Sequence, residues 1–444
     1  MNKVIILFLL ALSALFLAAL PAVAQDALNI DIHGPGQTRM NLYLASPLPL
    51  EGREGVDLDP AVNLEKELRA NLSFLPFFHL VSSADMLGGG GLGGYLARNM
   101  DFRKLQLSKV DLACTSAWAQ RPGILGEVEL RAYEVFTQRL VLGKAYQIQG
   151  TEQIPQVAAK FCSALMEILT GSGLFFDSKL AFVKKIGRNK EIYVADALGR
   201  DFRQVTRLGG ICLSPAWSPD GRYLAFTYLS GREHMLGLWD GETDKVTTRT
   251  LPGNTVISPV FLPDGRLAVS INPQGSSDIF LLDRSFRLDK PLVQHWAIDI
   301  SPSFDSAGHK MAFVSSRAGN PHVFVLDMPS GEVSRATYAG KYNTGADISP
   351  DGKFLAYAGE TENGHRIFVM DLTTGRERQV SFGPRNDEDP VWSPDGYFLA
   401  FTSNREGGYK IYLTTRHGDE ARLVPTGPGE ASAPAWGREY AKGR

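Results

Sequence analysis

Serine and aspartate recur together along this chain at a spacing that invites a catalytic reading. Ser393 and Asp395 stand two apart in PVWSPDGYFLAFTS, which begins at Pro390. Similar stretches read PAWSPDGRYLAFT from Pro215, PVFLPDGRLAVS from Pro259, PSFDSAGHKMAFVS from Pro302 and ADISPDGKFLAYAG from Ala346. A serine nucleophile needs a neighbouring base, and in α/β-hydrolases it sits in a G-x-S-x-G elbow followed by Asp and His. The chain has no G-x-S-x-G. The other candidates carry little chemistry. Gly88–Gly94 (GGGGLGG) matches a literal G-x-G-x-x-G, but no strand–helix unit with a downstream acid surrounds it, so it reads as a flexible loop. The eight histidines are scattered, without metal-ligand spacing on a helix; His309 and His322 fall in one repeat and read as surface positions. No EF-hand-like loop is present, although carboxylates near a channel could hold a cation. No cofactor is expected, and the chain reads as a non-enzyme.

A turn explains the Ser-Pro-Asp-Gly pattern better. Pro presets φ, Asp accepts main-chain hydrogen bonds, and Gly takes the left-handed conformation that closes a hairpin. The turn glycines Gly221, Gly265, Gly308, Gly352 and Gly396 are spaced 44, 43, 44 and 44 residues apart. That period matches four-stranded propeller blades. The strand after each turn is apolar on both faces, as in a sheet packed between neighbours. In the last copy Tyr397, Leu399 and Phe401 alternate with Phe398 and Ala400. A second series gives the count: IYVAD ends at Asp196, LGLWD at Asp240, IFLLD at Asp283, VFVLD at Asp327, IFVMD at Asp371 and IYLTT at Thr415. The Trp239-Asp240 pair is therefore drift within a repeat, not a WD signature. Trp436 lies 44 residues after Trp392 in a truncated PAWG, whereas Lys179–Leu208 has later strands without a first. The two fragments complete a sixth blade and remove the free edges.

Ahead of the repeats the grammar differs. Leu28, Ile30 and Ile32 alternate with polar residues, as a half-buried strand does. Asp59-Pro60 opens a helix with Asp as cap and Val62, Leu64, Leu68 and Leu72 in helical register. Ile124–Tyr133 and Arg139–Gln149 alternate as strands, and Ile154–Leu169 carries a helical apolar face that Gly171 stops. The expected architecture is a two-domain chain, with an N-terminal α/β domain at 25–173 and a six-bladed β-propeller at 174–444 closed by a strand at 433–437.

Residues 1–24 read as a cleaved secretory signal: Lys3, an apolar run from Val4 to Leu20, then Ala22-Val23-Ala24. No later segment is apolar enough to span a bilayer, so an exported, non-spanning protein is expected. The formal charge of −2 is evenly mixed, which excludes the basic stripe that nucleic acid requires. Of the three cysteines, Cys114 and Cys162 lie in the same half of the chain and could pair in an oxidising compartment, which their spacing does not decide; Cys212 reads as a buried thiol.

With its export signal, small α/β domain and PxWSPDGxxLAF repeats, the chain resembles the TolB family. The junction LMEILTGSGLFFDSKLAFV, Leu165–Val183, and NTGADISPDGKFLAYAG, Asn343–Gly359, carry the resemblance most specifically. It implies a periplasmic adaptor of the Tol–Pal system, active in outer-membrane integrity and cell division and exploited by colicin peptides. The implied partners are a Pal-like lipoprotein at the propeller mouth and a TolA-like inner-membrane protein at Gln25–His33, which includes Leu28, Ile30 and Ile32. The protein would be a monomer within that complex. Transferred to this chain, the mouth comprises Asp299, Ser301, Asn343, Asp347, Asn386, Asp387 and Asp389. The alternatives are a peptide- or ligand-binding propeller outside that system, and a propeller attached to a peptidase.

Overall fold

The computed structural model describes residues 39–51, 55–438 and 440. The expectations for residues 1–24 and for Leu28, Ile30 and Ile32 lie outside these residues. All described residues belong to one compact unit.

The chain first builds β1 (Met40–Leu44), β2 (Leu48–Pro49), helix α1 (Asp59–Phe74), β3 (Phe78–Val81), the short helix α2 (Phe102–Leu107), β4 (Leu112–Arg121), β5 (Ile124–Glu134), β6 (Arg139–Ile148) and helix α3 (Ile154–Thr170). The strands form one sheet in the order β3-β1-β4-β5-β6, with β2 on β4. Helices α1 and α3 pack together; α1 buries Leu64, Leu68 and Leu72, and α3 buries Phe161, Leu165 and Leu169. Gly171, at φ 86°, ends α3 because a left-handed residue there needs no Cβ. Two details of α1 differ from expectation. Asp59 lies inside the first turn, and its N–H is accepted by Asp57 Oδ1 at 2.9 Å, so the earlier aspartate serves the helix start. Val62 faces solvent, and Ala61 fills the core position instead.

The glycine-rich loop is tied down. Lys104 Nζ donates to the carbonyls of Gly88 and Gly91 at 3.2 and 2.7 Å, and Tyr43 Oη donates to that of Gly90 at 2.6 Å. A Cβ on Gly90 would stand 2.7 Å from that hydroxyl, so the loop is shaped by close approach rather than left flexible. Cys114 on β4 and Cys162 on α3 are both free and buried, and burial pushes the Cys114 thiol up to about 12. Cys212 is likewise a buried free thiol.

From Ser178 onward the regular elements among the described residues are all strands. One eight-stranded sheet contains β7 (Ser178–Ile186), β8 (Asn189–Asp196), β9 (Arg203–Gln204), β10 (Ile211–Trp217), β11 (Tyr223–Ser230), β12 (Glu233–Asp240), β13 (Lys245–Thr250) and the distant β30 (Ala431–Arg438). A single parallel pair, Ile211 with Lys190, joins its β7–β9 part to its β10–β13 part. Four four-stranded sheets follow in chain order. The first is β14 (Val256–Phe261), β15 (Leu267–Ile271), β16 (Asp278–Leu282) and β17 (Leu288–Val293). The second is β18 (Asp299–Phe304), β19 (Lys310–Ser315), β20 (His322–Asp327) and β21 (Val333–Arg335). The third is β22 (Asn343–Ile348), β23 (Phe354–Thr361), β24 (Gly364–Asp371) and β25 (Glu377–Gln379). The fourth is β26 (Asp387–Trp392), β27 (Phe398–Ser403), β28 (Lys410–Thr415) and β29 (Arg422–Leu423). These sheets form a β-propeller.

The repeated turns work through side chains. Ser393 Oγ donates to Asp395 and accepts from the Phe398 N–H at 3.0 Å, while Asp395 Oδ1 accepts from the Tyr397 N–H at 3.0 Å. Ser218 with Asp220 and Ser349 with Asp351 repeat the arrangement. The five turn glycines all have φ between 66° and 84°. The strand beyond is buried on both faces: every residue of β27 is buried. The aspartates that end the third strands cap the next hairpin; Asp371 Oδ1, for example, accepts from the N–H groups of Thr373 and Thr374 at 2.8 and 3.0 Å.

The α/β domain meets the propeller at the last of these turns. Phe77 stacks on Phe398 at 6.1 Å between ring centroids and meets Tyr397 edge-on at 5.9 Å. Phe175 reaches Phe398 at 4.4 Å and Trp436 at 5.2 Å. Phe398→Ala should lower stability by about 3–5 kcal/mol, because it empties a buried site shared by two domains. A denaturant midpoint within error of the parent's would remove this contact from the core.

Candidate functional site

The six innermost strands, β10, β14, β18, β22, β26 and β30, share a feature that composition does not announce. Each contains one residue at positive φ: Ser214, Ser258, Ser301, Gly345, Asp389 and Ala433, with φ between 48° and 59°. Each also shows a register shift at that point, such as Leu213 to Ala216 against Thr227 to Ala225. An extra residue on one strand is a β-bulge, which bends the strand and increases its twist. Five of the six are not glycine, so each holds strain on the order of 1–3 kcal/mol. The signal was present in the sequence as X-Pro at the repeat period: Pro215, Pro259, Pro302, Pro390 and Pro434 follow the bulged residue.

These bulges line a channel of ≈ 540 Å³ whose walls carry Ser258, Ser301, Asp347, Asp389, Trp392 and Trp436 among others. Side chains there join one sheet to the next. Ser303 Oγ donates to Asp347 Oδ1 at 2.7 Å, Asp347 Oδ2 accepts from the Trp392 N–H at 2.7 Å, and Trp392 Nε1 donates to the Asp347 carbonyl at 3.0 Å. Asp347 thus ties three consecutive sheets together. Ser301 N–H donates to Ser270 Oγ at 3.2 Å and Ala433 N–H to Thr402 Oγ1 at 2.9 Å, repeating the bridge elsewhere around the ring. Thr402 Oγ1 in turn donates to Asp389 Oδ2 at 3.3 Å.

Burial pushes the Asp347 carboxyl up to about 6. Asp389 is accessible from the channel yet surrounded by protein; that enclosure, helped by the adjacent Glu388 charge, also raises it to about 6.

The seven residues expected at the mouth divide into two groups. Ser301, Asp347 and Asp389 line the channel, and Asn386 lies nearby, partly exposed, with its Oδ1 accepting from the His365 N–H at 3.1 Å. Asp299, Asn343 and Asp387 do not face the opening and are corrected here as partner-facing residues. Asp299 and Asp387 are fully buried, paired with Arg317 at 2.8 Å and Arg405 at 2.9 Å. Arg317 lies over the Phe313 and Phe324 rings, and Arg405 over Phe401 and Tyr412. A buried carboxylate needs such a partner, and the arginines stand 18 residues downstream, beyond any turn-level reading. Asn343 Nδ2 donates to His322 Nδ1 at 3.0 Å and to the Ala339 carbonyl at 2.8 Å. His322 is therefore buried rather than on the surface, while His309 is exposed. Among the described residues no group of three or more His, Cys, Asp or Glu is placed to hold a metal.

Sequence reasoning also missed an apolar rim. Trp296 and Ile298 before β18, Tyr338 and Tyr342 before β22, and Phe382 before β26 are all exposed, Trp296 to 79% and Tyr338 to 71%. They occupy the loops that lead into three successive inner strands. The buried Asp–Arg pairs anchor two of those loops at their ends.

Fold and channel together define a β-propeller protein carrying an N-terminal α/β domain. Residues 166–440 match the TolB beta propeller domain. The Tol-Pal system protein TolB of Nitratidesulfovibrio vulgaris is 47% identical over 315 residues, covering 69% of this chain and 70% of that protein. The TolB homolog of Chlorobium luteolum is 33% identical over 326 residues, covering 73% and 72%. The chain belongs to the TolB family. The crystal structure of TolB from Acinetobacter baumannii has the same fold, with a TM-score of 0.77 at 20% identity over 91% of this chain and 98% of that one. Among the described residues no helix is long and apolar enough to cross a membrane.

The two raised carboxyls set a pH dependence. A carboxyl whose folded pKa exceeds its unfolded value near 3.9 adds stability that is complete below about pH 4 and is lost as pH rises through about 6. The stability of the parent relative to Asp389→Asn should therefore fall between pH 4 and pH 7. Denaturant midpoints whose difference does not change over that range would refute it.

Proposed function

We propose that this protein is a non-catalytic, periplasmic adaptor of the Tol–Pal system. Its propeller mouth binds a Pal-like, peptidoglycan-associated lipoprotein, and its N-terminal segment, including Leu28, Ile30 and Ile32, engages a TolA-like inner-membrane protein. The link would serve outer-membrane integrity and cell division. We count the propeller as six blades, taking the eight-stranded sheet as two joined by one residue pair, and place the domains at 25–173 and 174–444 after a cleaved signal at 1–24.

The observation that carries the reading is the rim. Large exposed apolar side chains are concentrated on three adjacent loops that lead into channel-lining strands, in a chain of the TolB family. Interfaces favour aromatic anchors of this kind, surrounded by polar groups that set register. Ser301, Asp347, Asn386 and Asp389 supply the polar part, with Trp296, Tyr338 and Phe382 as anchors. The Ser-Asp pairs are engaged in holding turns, which favours binding over hydrolysis.

A pull-down from envelope extracts with the tagged protein should recover a Pal-like lipoprotein. Asp389→Lys should weaken that binding about tenfold or more while leaving the thermal midpoint within a few degrees. Failure to recover any such lipoprotein under mild extraction would overturn the adaptor reading; an unchanged dissociation constant would remove Asp389 from the interface.

A further inference from the structure

A second concave site lies on the same face of the propeller, outside the channel. The turn between β23 and β24 and the loop leading to β26 enclose a groove of ≈ 610 Å³, lined by Thr361, Glu362, Asn363, Phe382, Pro384 and Arg385 around Arg366. Arg366 is only 4% exposed. Its Nη1 donates to the carbonyls of His365, at 2.6 Å, and Arg385; its Nη2 donates to those of Asn363 and Gly383 at 2.9 and 2.5 Å. The loop is wrapped around the guanidinium, which is why Gly383 and Arg385 sit at φ 135° and 65°.

This arrangement is electrically incomplete. A guanidinium has five N–H donors, and four are taken by carbonyl oxygens. Carbonyls satisfy hydrogen bonds but supply no counter-charge. Arg317 and Arg405, both less buried than Arg366, each have an aspartate, whereas no carboxylate among the described residues pairs with Arg366. Buried charges are ordinarily paired. The exposed Arg385 adds a second cation at the groove's edge, and Phe382, 51% exposed, offers an apolar flank.

The geometry points to this groove as a carboxylate subsite, which takes an aspartate or glutamate side chain from an extended peptide. The carboxylate meets the remaining Arg366 Nε–H and the Arg385 guanidinium, with its methylenes against Phe382. Glu362, exposed in the same lining, opposes the ligand and limits its affinity. The assignment shares Phe382 with the rim but does not require that the rim's partner supply the peptide.

The test is an NMR titration of the full chain, labelled with ¹⁵N-arginine, using acetyl-Gly-Glu-Gly-amide and its glutamine counterpart. The Arg366 Nε–H resonance should shift saturably with the glutamate peptide and not with the glutamine peptide. Arg385→Gln should weaken the response about threefold and Glu362→Gln strengthen it by a similar factor, the size expected of partly exposed ion pairs. Both side chains are exposed, so neither substitution threatens folding. Equal responses to the two peptides, or indifference to both substitutions, would overturn the proposal. A stronger response to inorganic phosphate than to the glutamate peptide would overturn the carboxylate assignment.

Discussion

The inner strands of this propeller must converge on one axis without forming a ladder with one another. Their bulges meet that constraint. A regular strand would continue straight, but an extra residue at positive φ bends each one and turns its side chains toward the channel. The staples then act at the bends: Ser270, Ser303, Thr402 and Asp347 each reach from one sheet to the main chain or carboxylate of another. Strain at five of these six points is held by packing elsewhere, chiefly by second strands buried on both faces. The channel, its raised carboxyls and the position of the rim loops all follow from that geometry.

Much of this was legible in the chain. A constant period with Pro, Asp and Gly at fixed offsets fixes turn chemistry, and the six third strands end where their capping residues or Thr415 stand, to within one residue. The site was less legible. Asp299, Asn343 and Asp387 occupy equivalent places in successive repeats, and all three look like solvated loop residues. Their burial depends on partners that only the folded sheet brings near: Arg317 and Arg405 for the aspartates, His322 for the asparagine. One trace was available, since Ser315-x-Arg317 and Ser403-x-Arg405 recur two repeats apart, while Thr361 stands where the third arginine would be. The rim was missed for a different reason. Exposed aromatics look like core residues to any reading based on hydrophobicity, and only the loop's position tells them apart.

The α/β domain is not an independent appendage. Phe77 enters the aromatic cluster that Phe175 and Phe398 form beside the Ser393-Pro-Asp395-Gly396 turn, so a motif that recurs as plain hairpin punctuation serves in its last copy as a docking surface. Ion pairs between Arg200 and Glu67, and between Arg39 and Glu420, lie around this contact but are solvated and secondary. The aromatic cluster holds the domains in register.

The pairing of β30 with β7 has a consequence for the order of events during synthesis. Ala431 pairs with Lys184 and Arg438 with Ser178, so the ring is shut by two segments separated by almost the entire propeller. Bringing such distant segments together carries a large loop-closure entropy, and sheets with non-local pairings form slowly. Every earlier sheet can form its own hairpins as it emerges, yet the β7 edge remains open until the final strand is made. Completion is therefore a single late step that acts as a check on length. A chain missing those last residues would present an unpaired edge rather than a slightly shorter propeller.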